Sequence, residues 1–114
     1  MSEKKEKSHA NKNSAVTVES PPGICRTTLA YRDEIMFCHF DMKKGASIPL
    51  HNHEAVQCGY VIQGKVKFVK QNESEFIAEA GDSYVFASKE SHGADVLEDS
   101  EVVECFAPMR PEYA

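Results

Sequence analysis

The sequence contains four cysteines but no Cys-x-x-Cys pair, which argues against a zinc ribbon and against a thioredoxin-like redox motif. Cysteines spread along the chain in this way are expected to be free thiols in a reducing compartment. The alternation of side chains along a strand predicts that two of them are small buried hydrophobic residues. The four are Cys25, Cys38, Cys58 and Cys105, and those predicted to be buried are Cys38 and Cys58.

A basic surface, a long apolar run and helical periodicity are also missing. The formal net charge is −5, and no stretch alternates Lys or Arg with aromatic residues, so no nucleic-acid partner is expected. No apolar run is long enough to cross a bilayer, and the segment Met1–Lys7 lacks the apolar core of a signal peptide. We therefore expect no membrane partner and a cytoplasmic location.

The length of 114 residues predicts one domain. Residues 1–22 are rich in Lys, Glu, Ser and Asn and are predicted to form a flexible tail, because so few large apolar groups cannot offset the entropy of ordering the chain. His9 lies in this tail and is expected to be solvated. Residues 23–114 are predicted to form the folded domain.

From Gly23 onward the chain has short runs rich in Val, Ile, Phe and Tyr, separated by turn residues at intervals of roughly eight to twelve. This rhythm predicts an all-β domain without helices. So many strands in a small chain favour two facing sheets or a jelly-roll barrel, since an open sheet would expose its edges and one apolar face. The predicted strands are Ile24–Tyr31, Ile35–Met42, Ser47–Leu50, Val56–Ile62, Val66–Lys70, Glu75–Ala78, Ser83–Ala87, Gly93–Leu97 and Val102–Phe106.

Three histidines and a glutamine are spaced as ligands of one metal ion. His51 and His53 lie two residues apart, so a strand turns both imidazoles to the same face. Gln57 keeps that parity, and His92 arrives from a later strand. Imidazole and amide ligands accept nickel, zinc, manganese, iron or cobalt as the divalent ion. Because these ligands are neutral, the ion keeps its full charge and favours a small anionic substrate at its open positions.

Proton transfer at such a site needs an acid or base, and Glu104 is the best candidate. It shares one face of the final strand with Val102 and Phe106. The alternatives are that Glu104 faces solvent or forms a structural ion pair with Arg26. Arg110 follows the last strand, where its planar guanidinium could hold a carboxylate at the barrel mouth.

Two other residues are predicted to lie outside the site. His39 lies in a predicted strand, and the sequence does not fix whether its side chain shares the face of the metal ligands. A surface or core position is favoured. Tyr60 has the parity opposite to Gln57 and is expected to pack between the sheets.

Two motifs resemble those of the cupin superfamily. The first runs from Gly45 through five residues to His51-Asn52-His53, then three residues to Gln57 and six to Gly64, with Gln57 in place of the usual glutamate. The second resembles Gly81 followed by a loop and His92, although Ala87 and Lys89 replace its usual Pro and Gly. This resemblance implies a cupin jelly-roll barrel that binds a metal.

The chain is also similar to small single-domain cupins of the KdgF type, in the segments Arg26–Tyr31, Gly59–Gly64 and Phe106–Arg110. That family opens a monomeric unsaturated uronate, released by pectin or alginate lyases, to its linear keto form. The resemblance implies metal ligation by His51, His53, Gln57 and His92, catalysis by Glu104 and Arg110, and substrate binding by Phe106 and, more weakly, Arg26. Those cupins commonly carry another His and a Glu where this chain has Glu54-Ala55-Val56.

The predicted site is compatible with three functions from different classes. The first is a non-redox metal-dependent isomerase or lyase acting on a small sugar acid. The second is an iron-dependent dioxygenase, because three histidines with open coordination positions also activate oxygen. The third is a non-catalytic ligand-binding barrel. A homodimer is expected from the family, through sheet packing or strand exchange.

Overall fold

Eight antiparallel strands make up the computed structural model, which describes residues 6–72 and 74–114. One short 3₁₀ helix, η1, closes the chain, and the described residues contain no α-helix. The bounds are β1 Thr17–Glu19, β2 Ile24–Arg32, β3 Ile35–Met42, β4 Ser47–His51, β5 Val56–Lys70, β6 Glu75–Glu79, β7 Ser83–Phe86, β8 His92–Ala107 and η1 Pro111–Tyr113. No helix in these two ranges has the length and apolar character needed to span a membrane.

The two long strands β5 and β8 organise the barrel. The strand order is β1-β2-β3-β8-β5-β6, with β4 also paired to β8 and β7 also paired to β5. Long strands that bend can take part in both layers of a jelly roll, and their inward side chains alternate with outward ones. The predicted jelly-roll fold is therefore confirmed. The buried apolar core includes Met36, Phe40, Val61, Val66, Phe68, Phe86, Val102 and Phe106.

Strand β5 was predicted as two strands joined by a turn at Gln63-Gly64, and the structure corrects this. Gly64 adopts a φ of +99° within a continuous strand, and the β5–β8 register shifts on either side of Gln63. A Cβ at Gly64 would lie 2.1 Å from Ser100 Oγ. The glycine therefore marks a bulge against β8 and not a hairpin turn, because only glycine fits there. Strand β8 is likewise continuous where two strands were predicted.

Part of the segment predicted as a flexible tail is paired with the sheet. Thr17–Glu19 forms strand β1, in register with Glu19 opposite Cys25, and Thr17 Oγ1 lies 2.7 Å from Thr27 Oγ1. Its three residues are exposed, so backbone pairing, and not burial of apolar side chains, places them there. Strand β1 therefore precedes Gly23, the predicted start of the folded domain. Residues 1–5 lie outside the described residues, and flexibility of the tail stays a prediction.

The outer face of β5 differs from the prediction. Cys38 is buried as expected, but Cys58 is exposed and Tyr60 is 48% exposed. Both have the parity opposite to Gln57, whose side chain is buried, so they point away from the lumen. The prediction that Cys58 is buried and that Tyr60 packs between the sheets was wrong, because the described chain leaves these two outward side chains of β5 open to solvent. All four cysteines are free.

Candidate metal centre

Three imidazoles converge at one end of the lumen. His51 ends β4 and lies opposite His92, the first residue of β8, while His53 follows two residues after His51. The ring centroids of His51 and His92 are 4.5 Å apart, and those of His53 and His92 are 5.2 Å apart. One potential ligand atom from each ring lies within 4.8 Å of the others. Strand register thus brings together histidines that are distant in sequence.

Each imidazole is held by the backbone in the same way. The Nδ1 atom of every ring donates a hydrogen bond to a carbonyl oxygen two residues away along the chain. Because a carbonyl only accepts, Nδ1 carries the proton and, in the neutral ring, Nε2 keeps its lone pair. The contacts are His51 Nδ1 to Pro49 O at 2.9 Å, His53 Nδ1 to Ala55 O at 2.8 Å and His92 Nδ1 to Glu90 O at 2.8 Å.

The environment keeps two of these rings neutral. Burial lowers the pKa of His92 to about 4. Burial also lowers the pKa of His53, with a further contribution from the charge of Arg110. At neutral pH both rings are therefore unprotonated at Nε2, which is the form that binds a metal ion.

Gln57 completes the set, with its amide oxygen turned to the imidazoles. Its Oε1 lies 3.0 Å from His53 Nε2 and 3.1 Å from His92 Nε2. Because Nδ1 carries the proton in both rings, neither Nε2 atom has a hydrogen to donate to Gln57 Oε1. The lone pairs of the two nitrogens and the oxygen therefore face one another, and this arrangement is electrostatically unfavourable without a cation. Separations near 3 Å are also those of neighbouring ligands around an ion bonded at about 2.1 Å. The donor set therefore fits one divalent metal ion. Imidazole and amide ligands accept several such metals.

Glu104 sets the orientation of that amide. Its carboxylate is 4% exposed, and Oε2 accepts hydrogen bonds from Gln57 Nε2 at 2.7 Å and from Tyr84 Oη at 2.5 Å. Burial raises the pKa of Glu104, while the hydrogen bonds from Tyr84 and Gln57 and the charge of Arg110 oppose that rise. Glu104 thus lies in the lumen, bonded to Gln57 and Tyr84, and neither faces solvent nor pairs with Arg26.

Tyr84 and Gly59 are parts of the site that sequence reasoning missed. Gly59 on β5 lies opposite both Tyr84 on β7 and Glu104 on β8. A Cβ at Gly59 would lie 2.3 Å from Tyr84 Cζ, so the absence of a side chain there lets the Tyr84 ring pass across β5 to reach Glu104. An interior strand glycine often marks such a close approach, and this was the available signal.

Two arginines and a tyrosine form the mouth of the barrel. The Cζ atoms of Arg26 and Arg110 lie 3.9 and 4.1 Å from the centre of the Tyr113 ring. The Nε atoms of both arginines are buried and have no hydrogen-bond partner among residues 6–72 and 74–114. Tyr113, which sequence reasoning did not single out, is anchored where Thr28 Oγ1 donates to its carbonyl oxygen at 2.7 Å.

Most of the predicted site residues border one small cavity of about 60 Å³. The cavity is lined by predicted metal ligands, by other predicted site residues and by Tyr113, which the sequence did not single out. Neither His53 nor Arg26 borders the cavity. Arg26 lies against Tyr113, and Phe106 packs edge-on against both His53 and Tyr113. The lining residues from this group are His51, Gln57, His92, Glu104, Phe106, Arg110 and Tyr113.

A family model described as "Cupin domain" (Cupin_2) matches residues 38–107, more than half of the chain. No curated protein sequence matched the chain. Among solved structures, an RmlC-like cupin from Shewanella frigidimarina superposes with a TM-score of 0.87 at 22% identity, covering 95% of this chain and 96% of that one.

Two further structures are similar over most of this chain. KdgF from Halomonas sp. has a TM-score of 0.85 and 29% identity, and the alignment covers 94% of this chain and 100% of KdgF. The polyketide cyclase RemF from Streptomyces resistomycificus has a TM-score of 0.74 and 18% identity, with 90% and 80% of the two chains covered. At this lower identity the likeness to RemF shows the fold alone.

Proposed function

This chain belongs to the cupin domain family, and we propose that it is a metal-dependent, non-redox catalyst that opens a small unsaturated uronate, or a similar sugar acid, to a linear keto product. The observation that carries the proposal is the contact between Gln57 and Glu104. It joins a ligand set that fits a metal to a buried carboxylate suited to moving a proton. The similarity to KdgF supports the choice of substrate.

The charges around the cavity favour an anion. The ligand set is neutral, and a bound divalent ion would supply Lewis-acid polarisation of a carbonyl or enol oxygen. Arg110 borders the cavity and Arg26 lies behind Tyr113, each with a buried Nε that lacks a partner in the described chain. Arg110 Nη2 donates to Glu112 Oε2 at 3.2 Å, and a substrate carboxylate at the mouth would accept hydrogen bonds from the remaining donors of this guanidinium.

Glu104 is the proton carrier in this proposal. Both of its hydrogen bonds reach Oε2, so Oε1 is the oxygen left to exchange a proton with substrate. Gln57 and Tyr84 hold the carboxylate in one orientation, which is the requirement for efficient general acid–base catalysis. The cavity of about 60 Å³ suits the reacting end of a small molecule, with the remainder of the substrate at the mouth beside Arg110.

The test is NMR of freshly released 4,5-unsaturated galacturonate mixed with metal-loaded protein. We expect the wild type to accelerate formation of the linear keto product, and Glu104→Ala and His51→Ala to abolish the acceleration. His9→Ala serves as the matched control, because His9 is exposed and far along the chain from the site. No acceleration over buffer by the metal-loaded wild type would reject this substrate, and oxygen uptake by the iron-loaded protein would indicate a dioxygenase instead.

We also propose that the chain forms a homodimer through the outer face of its sheet. Phe37, Cys105, Cys58 and Val85 lie side by side across four strands, and Phe37 and Val85 are exposed, as is the neighbouring Tyr60. Neighbouring exposed apolar side chains on one sheet face are typical of an association site. Sedimentation velocity should give a dimer for the wild type and a monomer for Tyr60→Glu, and a monomeric wild type would contradict the proposal.

A further inference from the structure

We propose that a second divalent cation binds on the outer face of the sheet, at a cluster formed by His39, Asp41 and Glu101. One potential ligand atom from each residue lies within 4.8 Å of the others. The cluster is separate from the lumen site, because all three residues have outward parity on β3 and β8. It does not depend on the uronate reaction proposed above.

Strand register builds this cluster in the same way as the lumen cluster. His39 and Asp41 lie two residues apart on β3, and Asp41 lies directly opposite Glu101 on β8. In the lumen, two histidines at the same spacing meet a third opposite one of them on β8. Two residues at i and i+2 thus meet a cross-strand partner on either face of this sheet, although in the lumen His53 lies just beyond the end of β4.

The imidazole of His39 supplies the observation that points to a ligand. Its side chain is only 6% exposed, and Nε2 lies 2.6 Å from Glu101 Oε2. Because the carboxylate accepts, Nε2 carries the proton, and Nδ1 of the neutral ring is left with a lone pair. That Nδ1 is buried and has no hydrogen-bond partner within the described residues. A carboxylate that fixes the tautomer of a ligating histidine in this manner is common at metal sites.

Nδ1 faces the carboxylate of Asp41. The distance from His39 Nδ1 to Asp41 Oδ2 is 3.9 Å, which is too long for a hydrogen bond. It is compatible with two ligands of one ion, since bonds of about 2.0–2.2 Å place opposed ligands roughly 4 Å apart. We infer that His39 Nδ1 and Asp41 bind the ion directly, with Glu101 holding the imidazole and water filling the remaining positions.

The local charge favours a cation. Asp41 and Glu101 carry two negative charges, and the ammonium of Lys12 lies 3.7 Å from Asp41 Oδ2. Lys12 is therefore the group with which an incoming ion would compete. Asp41 has a side chain that is 54% exposed, so the ion can enter from solvent. Mixed imidazole and carboxylate ligands suit Zn²⁺, Mn²⁺ or Co²⁺.

The experiment is a titration of the metal-free full chain with Co²⁺, followed by calorimetry and by visible absorption. The variant His51→Ala/His92→Ala removes the lumen ligands and isolates the outer cluster. We expect this variant to bind one Co²⁺ per chain, and the further change Asp41→Asn to abolish binding. Lys12→Gln should tighten binding about 2- to 5-fold, the usual size of a single exposed charge interaction.

Asp41→Asn is the informative change, because an exposed residue is replaced by one of nearly the same shape and the fold should survive. Thermal melting checks that each variant is folded. The proposal is overturned if the His51→Ala/His92→Ala chain binds no Co²⁺, or if its binding is unaffected by Asp41→Asn and by His39→Gln. Either result leaves the proposed lumen function untouched, since that function is measured by turnover.

Discussion

The lumen cluster of His51, His53 and His92 and the outer-face cluster around His39 share one strand geometry but differ in chemistry. In the lumen, every Nδ1 is bonded to a backbone carbonyl, the donors are neutral and a cavity adjoins them. On the outer face, carboxylates replace two of the imidazoles and a lysine lies beside them. Register therefore decides where three side chains converge, while their charge and surroundings decide what they can do.

This difference predicts that an ion in the lumen cluster is catalytic, whereas an ion in the outer-face cluster is structural. A neutral ligand set leaves the ion's charge available to substrate, and Glu104 lies one hydrogen bond away from it through Gln57. The outer carboxylates would offset the charge of a divalent ion, and none of His39, Asp41 and Glu101 borders the lumen cavity.

The largest effect is expected from His51→Ala. Loss of one imidazole from the neutral set should remove tight binding in the lumen and lower turnover by roughly 100-fold or more. Metal content should fall to the single ion of the outer cluster. Plasma mass spectrometry of the dialysed protein, together with the NMR assay, measures both quantities. Full turnover in a variant without lumen metal would contradict the assignment of His51 as a ligand.

A pH-dependent loss of stability is expected for the metal-free protein. The pKa of His92 is about 4 in the folded chain and 6.5 as its ordinary value, so between these pH values the unfolded chain binds a proton that the folded chain does not. The contribution is fully present above pH 6.5 and is lost as the pH falls to about 4. At about 1.4 kcal/mol per pKa unit the loss approaches roughly 3 kcal/mol.

Urea denaturation at pH 7 and pH 4.5, in the presence of a chelator, measures this loss in the free energy of unfolding. His92→Gln keeps a polar side chain but has no proton to gain, so its free energy of unfolding should fall less than that of the wild type between the two pH values. Equal falls for the two proteins would show that His92 is not the group responsible.

Gln57→Glu introduces a carboxylate into the neutral ligand set of the lumen and so makes it chemically more like the outer-face cluster. The new carboxylate should bind the metal more tightly, by about 10-fold, because an anionic ligand replaces a neutral one. It also removes the amide that donates to Glu104 and places two carboxyl groups together, so turnover should fall about 10-fold. Calorimetry and kinetics should therefore move in opposite directions. A parallel gain in affinity and turnover would contradict the role given to the amide.

The smallest effect is expected from Tyr84→Phe. This change removes the hydroxyl that donates to Glu104 Oε2 and keeps the ring that fits over Gly59. We expect kcat to fall several-fold with KM little changed, and the pH profile to shift, because the hydroxyl acts through the carboxylate and not on substrate. An unchanged pH profile with reduced stability would indicate a purely structural tyrosine.

Gly59→Ala is the companion variant for the same contact. A Cβ at this position would meet the Tyr84 ring, so we expect a loss of about 1–3 kcal/mol in the free energy of unfolding, as for other overpacked cores. Replacing Tyr84 with Val in the same chain should recover part of that loss. Chemical denaturation of the three variants gives the comparison, and equal stability of Gly59→Ala and wild type would show that the sheet adjusts freely.

Much of the fold and of the metal set could be predicted from short-range pattern. Alternation predicted one shared face for His51, His53 and Gln57, although in the structure His53 follows the end of β4 and Gln57 lies on β5, and most of the predicted strands occur within strands of the structure. The same reasoning failed for Cys58 and Tyr60, because parity shows that two residues share a face but not which face is covered. It also missed Tyr113, which reaches the mouth only because the chain folds back after β8.

The set of donors, and the face that a donor in a strand shares with its near neighbours, follow from the amino-acid sequence alone, because the two-residue period of a strand is local. Which donors meet depends on the tertiary structure. His51 lies opposite His92, Gly59 lies opposite Tyr84 and Glu104, and Asp41 lies opposite Glu101. These pairings depend on the register of strands that are distant along the chain, and register is set by how the whole core packs and where bulges such as that at Gly64 fall.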